Sequence, residues 1–179
     1  MIKKLILVFT FFLLFFLFTP TLIFLDSQEV NLSQDKIEYN LPYPGILPDH
    51  PLFFLKKIRD KLLELVTRDS HKKAELYLLF SDKRSAMATA LAKSGKDKYA
   101  LTAFREGEQY FLKIPSLLET AKEQGISPSS DFILRLKLSN EKHKEIGNTL
   151  LKDLPQGQSE GLNESLELNQ EIKDKLEKL

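Results

Sequence analysis

From Asp49 to the C-terminus the apolar residues of this chain recur every three or four positions, without a sustained two-residue alternation. That period belongs to helices with one buried face, and its persistence leaves no room for a sheet. A first helix is expected with Asp49 as N-cap and Pro51 in its first turn, where a missing N–H costs nothing. Phe54, Ile58, Leu62 and Leu65 form its inward stripe; Lys56, Lys57, Arg59, Asp60 and Lys61 lie on the other side. A second helix runs from Asp69 or Ser70 to Gly95, a good residue to end on. Its stripe (Ala74, Leu78, Ser81, Ser85, Ala88, Ala92) is mostly small, which lets other helices approach closely and places it at the centre of a bundle.

The third helical stretch spans about Asp97 to Gln124, with Leu101, Phe104, Phe111, Ile114, Leu118 and Ala121 inward. Pro115 predicts a kink near Phe111 or a full break. After a loop at Ile126–Asp131, a fourth helix reaches about Asp153 with Phe132, Leu136, Ile146 and Leu150 inward, and Pro155-Gln156-Gly157 ends it. Ser159–Leu179 is a weaker amphipathic helix that either docks or frays. The fold class expected is all-α, an antiparallel bundle of four to five helices behind an N-terminal hydrophobic leader helix.

The leader is Met1–Leu25. Lys3 and Lys4 precede Leu5–Leu25, a run with no charge, rich in phenylalanine. At 1.5 Å per residue the run is roughly 31 Å long, close to the ~30 Å of a hydrocarbon core. Basic residues before it and Asp26 and Glu29 after it predict an N-terminus inside and the rest outside. Two readings stand: a single-pass anchor, or a cleaved signal with secretion, for which Leu25-Asp26-Ser27 is a poor cleavage site. Pro20 kinks a spanning helix without forbidding it. The expected organisation is a leader over 1–25, a polar tether over 26–40, a helical domain over 41–155 and a C-terminal amphipathic helix over 156–179.

Composition removes several function classes. There is no cysteine, hence no disulfide framework, thiolate metal site, cysteine nucleophile or lipid-attachment cysteine. Of the 26 Lys and Arg, two belong to the leader, which leaves 24 against 25 Asp and Glu. That balance carries no basic stripe for nucleic acid. Glycine-rich phosphate loops and nucleophile elbows are missing, and carboxylates alternate with lysines as on solvated helix faces. The expectation is therefore a binding protein, not an enzyme, with no cofactor.

The densest local chemistry is Leu41–Lys56. Pro42 and Pro44 favour an extended path, Gly45 supplies a turn, and Pro48 precedes Asp49 with Phe53 placed as in a hydrophobic staple. One reading is a clamp, with Pro42, Gly45, Pro48, Asp49 and Pro51 fixing the angle at which the chain meets its first helix. The other is a docking surface in which Tyr43, Pro44, Phe53 and Phe54 face a partner.

The segment Pro44-Gly45-Ile46-Leu47-Pro48-Asp49-His50-Pro51-Leu52-Phe53-Phe54-Leu55-Lys56 resembles the signature of a bacterial extracytoplasmic family known as domain of unknown function 5667. Members pair a leader with a proline-glycine-leucine-proline-aspartate-small-proline-leucine-tyrosine-phenylalanine-leucine-lysine motif. Ala74-Glu75-Leu76 and Lys83-Arg84 through Gly95 are similar to the family's second helix. That helix carries an arginine followed by a glutamate; here Ala86, Met87 and Ala88 stand where the acid is expected. Glu141–Glu145 resembles a late helix more loosely, and the resemblance covers most of Leu41–Leu154. It implies a helical exported domain and no activity.

Three histidines remain. His50, His71 and His143 each sit near acids, yet none belongs to a paired metal-binding spacing. They read as surface or cap residues, with a metal shared by His71 and His143 as the rival. Arg84 either pairs with Glu106 or Glu108 or reaches for solvent. The functional expectation is a membrane-tethered extracytoplasmic domain that binds a protein or another envelope component. Its alternative is a ligand or metal sensor.

Overall fold

The computed structural model describes residues 39–179; the leader and most of the tether lie outside them. The described residues form six α-helices and one short 3-10 turn, with no strand among them: α1 (Phe53–Val66), α2 (Ser70–Lys93), α3 (Asp97–Phe111), α4 (Ile114–Glu123), α5 (Ser130–Asp153) and α6 (Ser159–Leu176). None of these helices is long and apolar enough to cross a membrane.

Local chemistry sets the boundaries. The Asp69 carboxylate caps α2 by accepting from the Lys72 N–H at 2.8 Å, and Ser129 Oγ caps α5 by accepting from Phe132 N–H at 3.1 Å. Gly95 and Gly125 end α2 and α4 in the left-handed region, φ 68° and 81°. There Lys96 N–H reaches back to the Leu91 carbonyl and Ile126 N–H to that of Ala121, the reverse-turn bonds of a glycine-terminated helix. Pro115 breaks the third stretch into α3 and α4, where it occupies the first turn of the new helix.

Helices α2 to α6 pack together around two apolar clusters. One joins the first half of α2 (Ala74, Tyr77, Leu78) to Phe111, to Ile114 and Leu118 of α4, to the start of α5 (Phe132, Leu136) and to the end of α6 (Ile172, Leu176). The other joins the second half of α2 (Met87, Ala88, Leu91) to the start of α3 (Ala103, Phe104), the end of α5 (Ile146, Leu150) and the start of α6 (Leu162). This distribution makes α2, α3, α5 and α6 an up-down arrangement, with α4 crossing one end. The small residues of α2 bring it against α3, α4 and α5, so its central place follows from the sequence. The C-terminal helix is docked, with Leu162, Ile172 and Leu176 fully buried.

Between the clusters lies a polar layer, to which every long helix contributes: Ser81, Asp82, Arg84 and Ser85 from α2, Glu108 from α3, Ser139, Asn140 and His143 from α5, and Ser165 and Asn169 from α6. Gly107 lets α3 approach α2 at this level; a Cβ there would sit 3.2 Å from the Ser81 carbonyl, which instead lies beside the bond from Ser81 Oγ to the Gly107 carbonyl at 2.9 Å.

Candidate docking surface

The proline run folds into a turn ahead of α1. Gly45 is left-handed, φ 70°, and the Pro44 carbonyl accepts from Lys56 Nζ at 2.8 Å. Burial pushes the Lys56 ammonium down to about 7, with Asp60 opposing the shift and Arg84 adding to it. His50 N–H donates to the Leu47 carbonyl, Phe53 N–H to the His50 carbonyl, and Leu52 N–H to His50 Nδ1. The helix proper begins at Phe53, so Asp49 is not its N-cap. Leu52 occupies that position and no side chain caps it. The Asp49 carboxylate is instead drawn across to Lys96, just beyond α2, and their ion pair fixes the turn against the bundle. Leu41 and Leu47 pack beside Phe53 on the second cluster.

Helix α1 meets the bundle with the face opposite to the one its periodicity predicts. Phe54, Ile58, Leu62 and Leu65 are 57%, 53%, 38% and 74% exposed. Phe53 and Asp60 point inward, with Lys56, Leu63 and Glu64 half-buried beside them. Electrostatics account for the reversal. Arg84 is buried on α2, and its Nε lies 3.3 Å from Glu106 of α3. Its guanidinium also lies over the Phe53 ring, 5.0 Å from the centroid, and 4.0 Å from Asp60. Asp60 is held by Arg59 at 2.7 Å, and Glu64 accepts from the Tyr77 hydroxyl at 2.7 Å. A buried arginine needs anionic company; Glu106 of α3 supplies the closer acid, and of the two faces of α1 only the charged one can add to it, through Asp60. Of the two acids considered for Arg84, Glu106 is its partner.

Of the residues read as a docking surface, Tyr43 (82%) and Phe54 are exposed, Pro44 is half-buried, and Phe53 is buried under Arg84. The structure therefore separates the two phenylalanines. It extends the exposed patch along Ile46, Leu52, Leu55, Ile58, Leu62, Leu65 and Val66. Beside it, a cavity of about 300 Å³ between α1 and α3 is lined by Lys57, Asp60, Lys61, Arg84, Glu106 and Lys113.

The polar layer holds the most unusual chemistry. His143 is fully buried, not on the surface. Its Nε2 lies 3.1 Å from Asp82 Oδ1 and its Nδ1 2.8 Å from Glu108 Oε1. Burial disfavours a charge on the ring, but the Glu108 carboxylate and the hydrogen bonds to Asp82 and Glu108 outweigh it and push the pKa up to about 9. Asp82 also accepts from Ser139 Oγ at 2.6 Å and from the Tyr39 hydroxyl at 2.5 Å. Glu108 also accepts from Asn169 Nδ2 at 3.2 Å, and Asn169 and Asn140 exchange side-chain-to-carbonyl bonds at 3.0 Å. The carboxylates of α2 and α3 are thus satisfied by groups of α5, α6 and the segment before α1.

The histidine spacing signal misses this layer, but another signal carries it. His143 is seven residues from both Leu136 and Leu150, and Asn169 seven from both Leu162 and Leu176, so each lies on its helix's buried stripe. His71 packs on Phe132, centroids 5.2 Å apart, and both nitrogens of His143 are already engaged. Among the described residues no three His, Asp or Glu side chains are placed to hold a metal ion.

The family model described as a domain of unknown function, DUF5667, matches residues 45–178. The chain belongs to that family. No curated protein and no solved structure matches it. The DUF5667 match starts at Gly45 and runs through α6, so it takes in the polar layer, the Arg84 cluster and the apolar face of α1. Tyr39 and Tyr43 precede it, and they differ: Tyr39 is tied to Asp82, whereas Tyr43 stands in solvent.

The DUF5667 domain also has a groove of about 530 Å³ between α2 and α5. Ala86, Thr89 and Ala92 form one wall and Ile146, Leu150 and Leu154 the other, with Tyr39–Leu41 at one edge and Lys93, Lys142 and Glu145 around the rim.

Proposed function

We propose that this DUF5667 domain is a non-catalytic binding module, held outside a membrane by its N-terminal apolar segment, that works by contact with a protein or another component of the cell envelope. The observation that carries the reading is the outward apolar face of α1. A monomeric surface rarely leaves so continuous a row of large apolar side chains uncovered. Here the row is fixed in place by ion pairs on the other side of the same helix. The lysines before the Leu5–Leu25 run and the acids after it support the outside placement.

A photo-crosslinking residue at Leu65 or Tyr43, tested in cells, should give a discrete adduct with an envelope component. The same residue at Glu167, an exposed site on α6, should not. Equal adducts from both sides, or none from α1, would overturn the contact reading. For placement, Ser127→Cys adds the chain's sole thiol at an exposed loop. An impermeant maleimide should label it in intact cells, and labelling only after lysis would refute the topology.

A second reading, a ligand sensor, rests on the groove between α2 and α5. Its apolar walls and charged rim suit a small amphiphilic molecule. A bulky substitution at Ala86 would then abolish ligand-dependent stabilisation and leave the α1 crosslink untouched.

A further inference from the structure

We infer that the partner of the α1 face is the surface of the bilayer itself, with anionic headgroups along its edge. This rests on the contact reading above and names its occupant. The row Phe54, Ile58, Leu62, Leu65 runs along the whole helix, and neither of the helix's two acids interrupts it: Asp60 is buried and Glu64 is half-buried, both on the bundle side. Along one edge of the row, Lys57, Lys61 and Lys113 gather around the cavity between α1 and α3; each pairs on its bundle side with Glu106 or Glu64, at 3.4, 3.0 and 3.8 Å, yet their side chains stay 55%, 72% and 49% exposed. An apolar face with a cationic border is what an interfacial helix presents to lipid: the side chains enter the acyl boundary while the lysines meet phosphates.

Chain continuity points to the same occupant. The exposed Tyr43 and Ile46 lead into α1, and only Asp26–Glu38 separate the described domain from the uncharged Leu5–Leu25 run. Fully extended, that connection reaches at most about 45 Å. Size argues against a second copy. The helix is 14 residues long, which gives a face of roughly 21 by 10 Å. A stable protein interface covers about 800 Å² on each partner.

The chain has no tryptophan, so one introduced on α1 reports alone. Full-length Leu62→Trp and Phe54→Trp proteins are reconstituted in phosphatidylcholine–phosphatidylglycerol vesicles with or without brominated acyl chains. Circular dichroism is recorded to verify helix content. Both tryptophans should emit at short wavelength and lose more than half their intensity to the brominated lipid. A Glu167→Trp control on α6 should be unaffected. Adding Lys57→Glu and Lys61→Glu, or replacing phosphatidylglycerol with phosphatidylcholine, should weaken the quenching.

Tryptophans that stay solvent-exposed and unquenched in a folded protein overturn the lipid assignment. So does blue-shifted but unquenched emission, which signifies cover by protein: a second copy, another partner or the chain's own leader. The contact reading stands or falls separately, on the Leu65 crosslink in cells.

Discussion

Helix α2 is gripped from two sides in opposite ways. Towards α3, α5 and α6 it presents apolar clusters above and below, with a layer of buried polar groups between them in which Asp82, Glu108, His143, Asn140 and Asn169 are hydrogen-bonded to one another or to neighbouring helices and the Ser85 hydroxyl is not. Towards α1 it presents Arg84 and its ion pairs, and the apolar surface of α1 is turned to the outside. The first arrangement buries hydrocarbon and uses polar groups to fix which helix meets which. The second spends the helix's charges on attachment and keeps its hydrocarbon free. One side is built for stability, the other for presentation.

The sharpest way to break this comparison is at His143. Removing it by His143→Ala leaves Asp82 and Glu108 buried without their shared cation, which should destabilise the fold by about 3–5 kcal/mol in chemical denaturation. A loss near zero would mean the layer is not closed. The ring's pKa in the folded state, about 9, lies above its ordinary value of 6.5. Its stabilising contribution is therefore fully present below pH 6.5 and is lost as pH rises through 9. Unfolding titrations across that window should show the decline in the wild type and a flatter profile in His143→Gln.

Helix α5 gives a second test on the same side. At Gly147 a Cβ would lie 2.6 Å from Leu166 Cδ2 and 2.8 Å from Phe104 Cζ. Phe104 is fully buried, so Gly147→Ala should cost about 1–3 kcal/mol through overpacking. A neutral substitution would show that α3, α5 and α6 meet more loosely than the buried layer implies.

These regions also differ in how legible they were. Helices α2 to α6 follow from periodicity because burying apolar stripes is their dominant interaction: Phe104, Phe111, Leu118, Phe132 and Leu136 all lie where spacing puts them. The break at Pro115 and the stops at Gly95 and Gly125 follow from backbone chemistry alone. Helix α1 inverts the rule because a buried charge on another helix, Arg84, outweighs its own stripe. Asp49 fails as a cap for a related reason: Lys96, distant in sequence, competes for the carboxylate. Periodicity sees only the element it is measured on. The polar layer is intermediate, since His143 and Asn169 lie in register with leucines, but their partners Asp82 and Glu108 are set by the bundle.

On the presenting side, Arg84→Met should be milder than any change in the layer. Asp60 keeps Arg59 at 2.7 Å and Glu106 keeps Lys57 at 3.4 Å, so neither acid is stranded. A loss of about 1.5 kcal/mol, at the low end for charge-assisted hydrogen bonds, is expected. The more telling readout is amide exchange: protection should fall in α1 alone, because Arg84 ties Phe53 and Asp60 of that helix to α2. A uniform fall across α2 to α6 would mean α1 belongs to the core after all.

The smallest effect discriminates best. Leu65→Ser and Ile58→Ser remove large apolar side chains, as a core truncation does, yet both sites are more than half exposed. Each should change stability by no more than about 0.5 kcal/mol, the range of ordinary surface substitutions. Truncating the fully buried Leu118 to alanine should cost about 2–5 kcal/mol. A cost above 2 kcal/mol at Leu65 would show that the α1 face is covered within the chain. If the effect stays small, the bundle gains almost nothing from Leu65 and Ile58, and their hydrocarbon is free to serve a contact outside the fold.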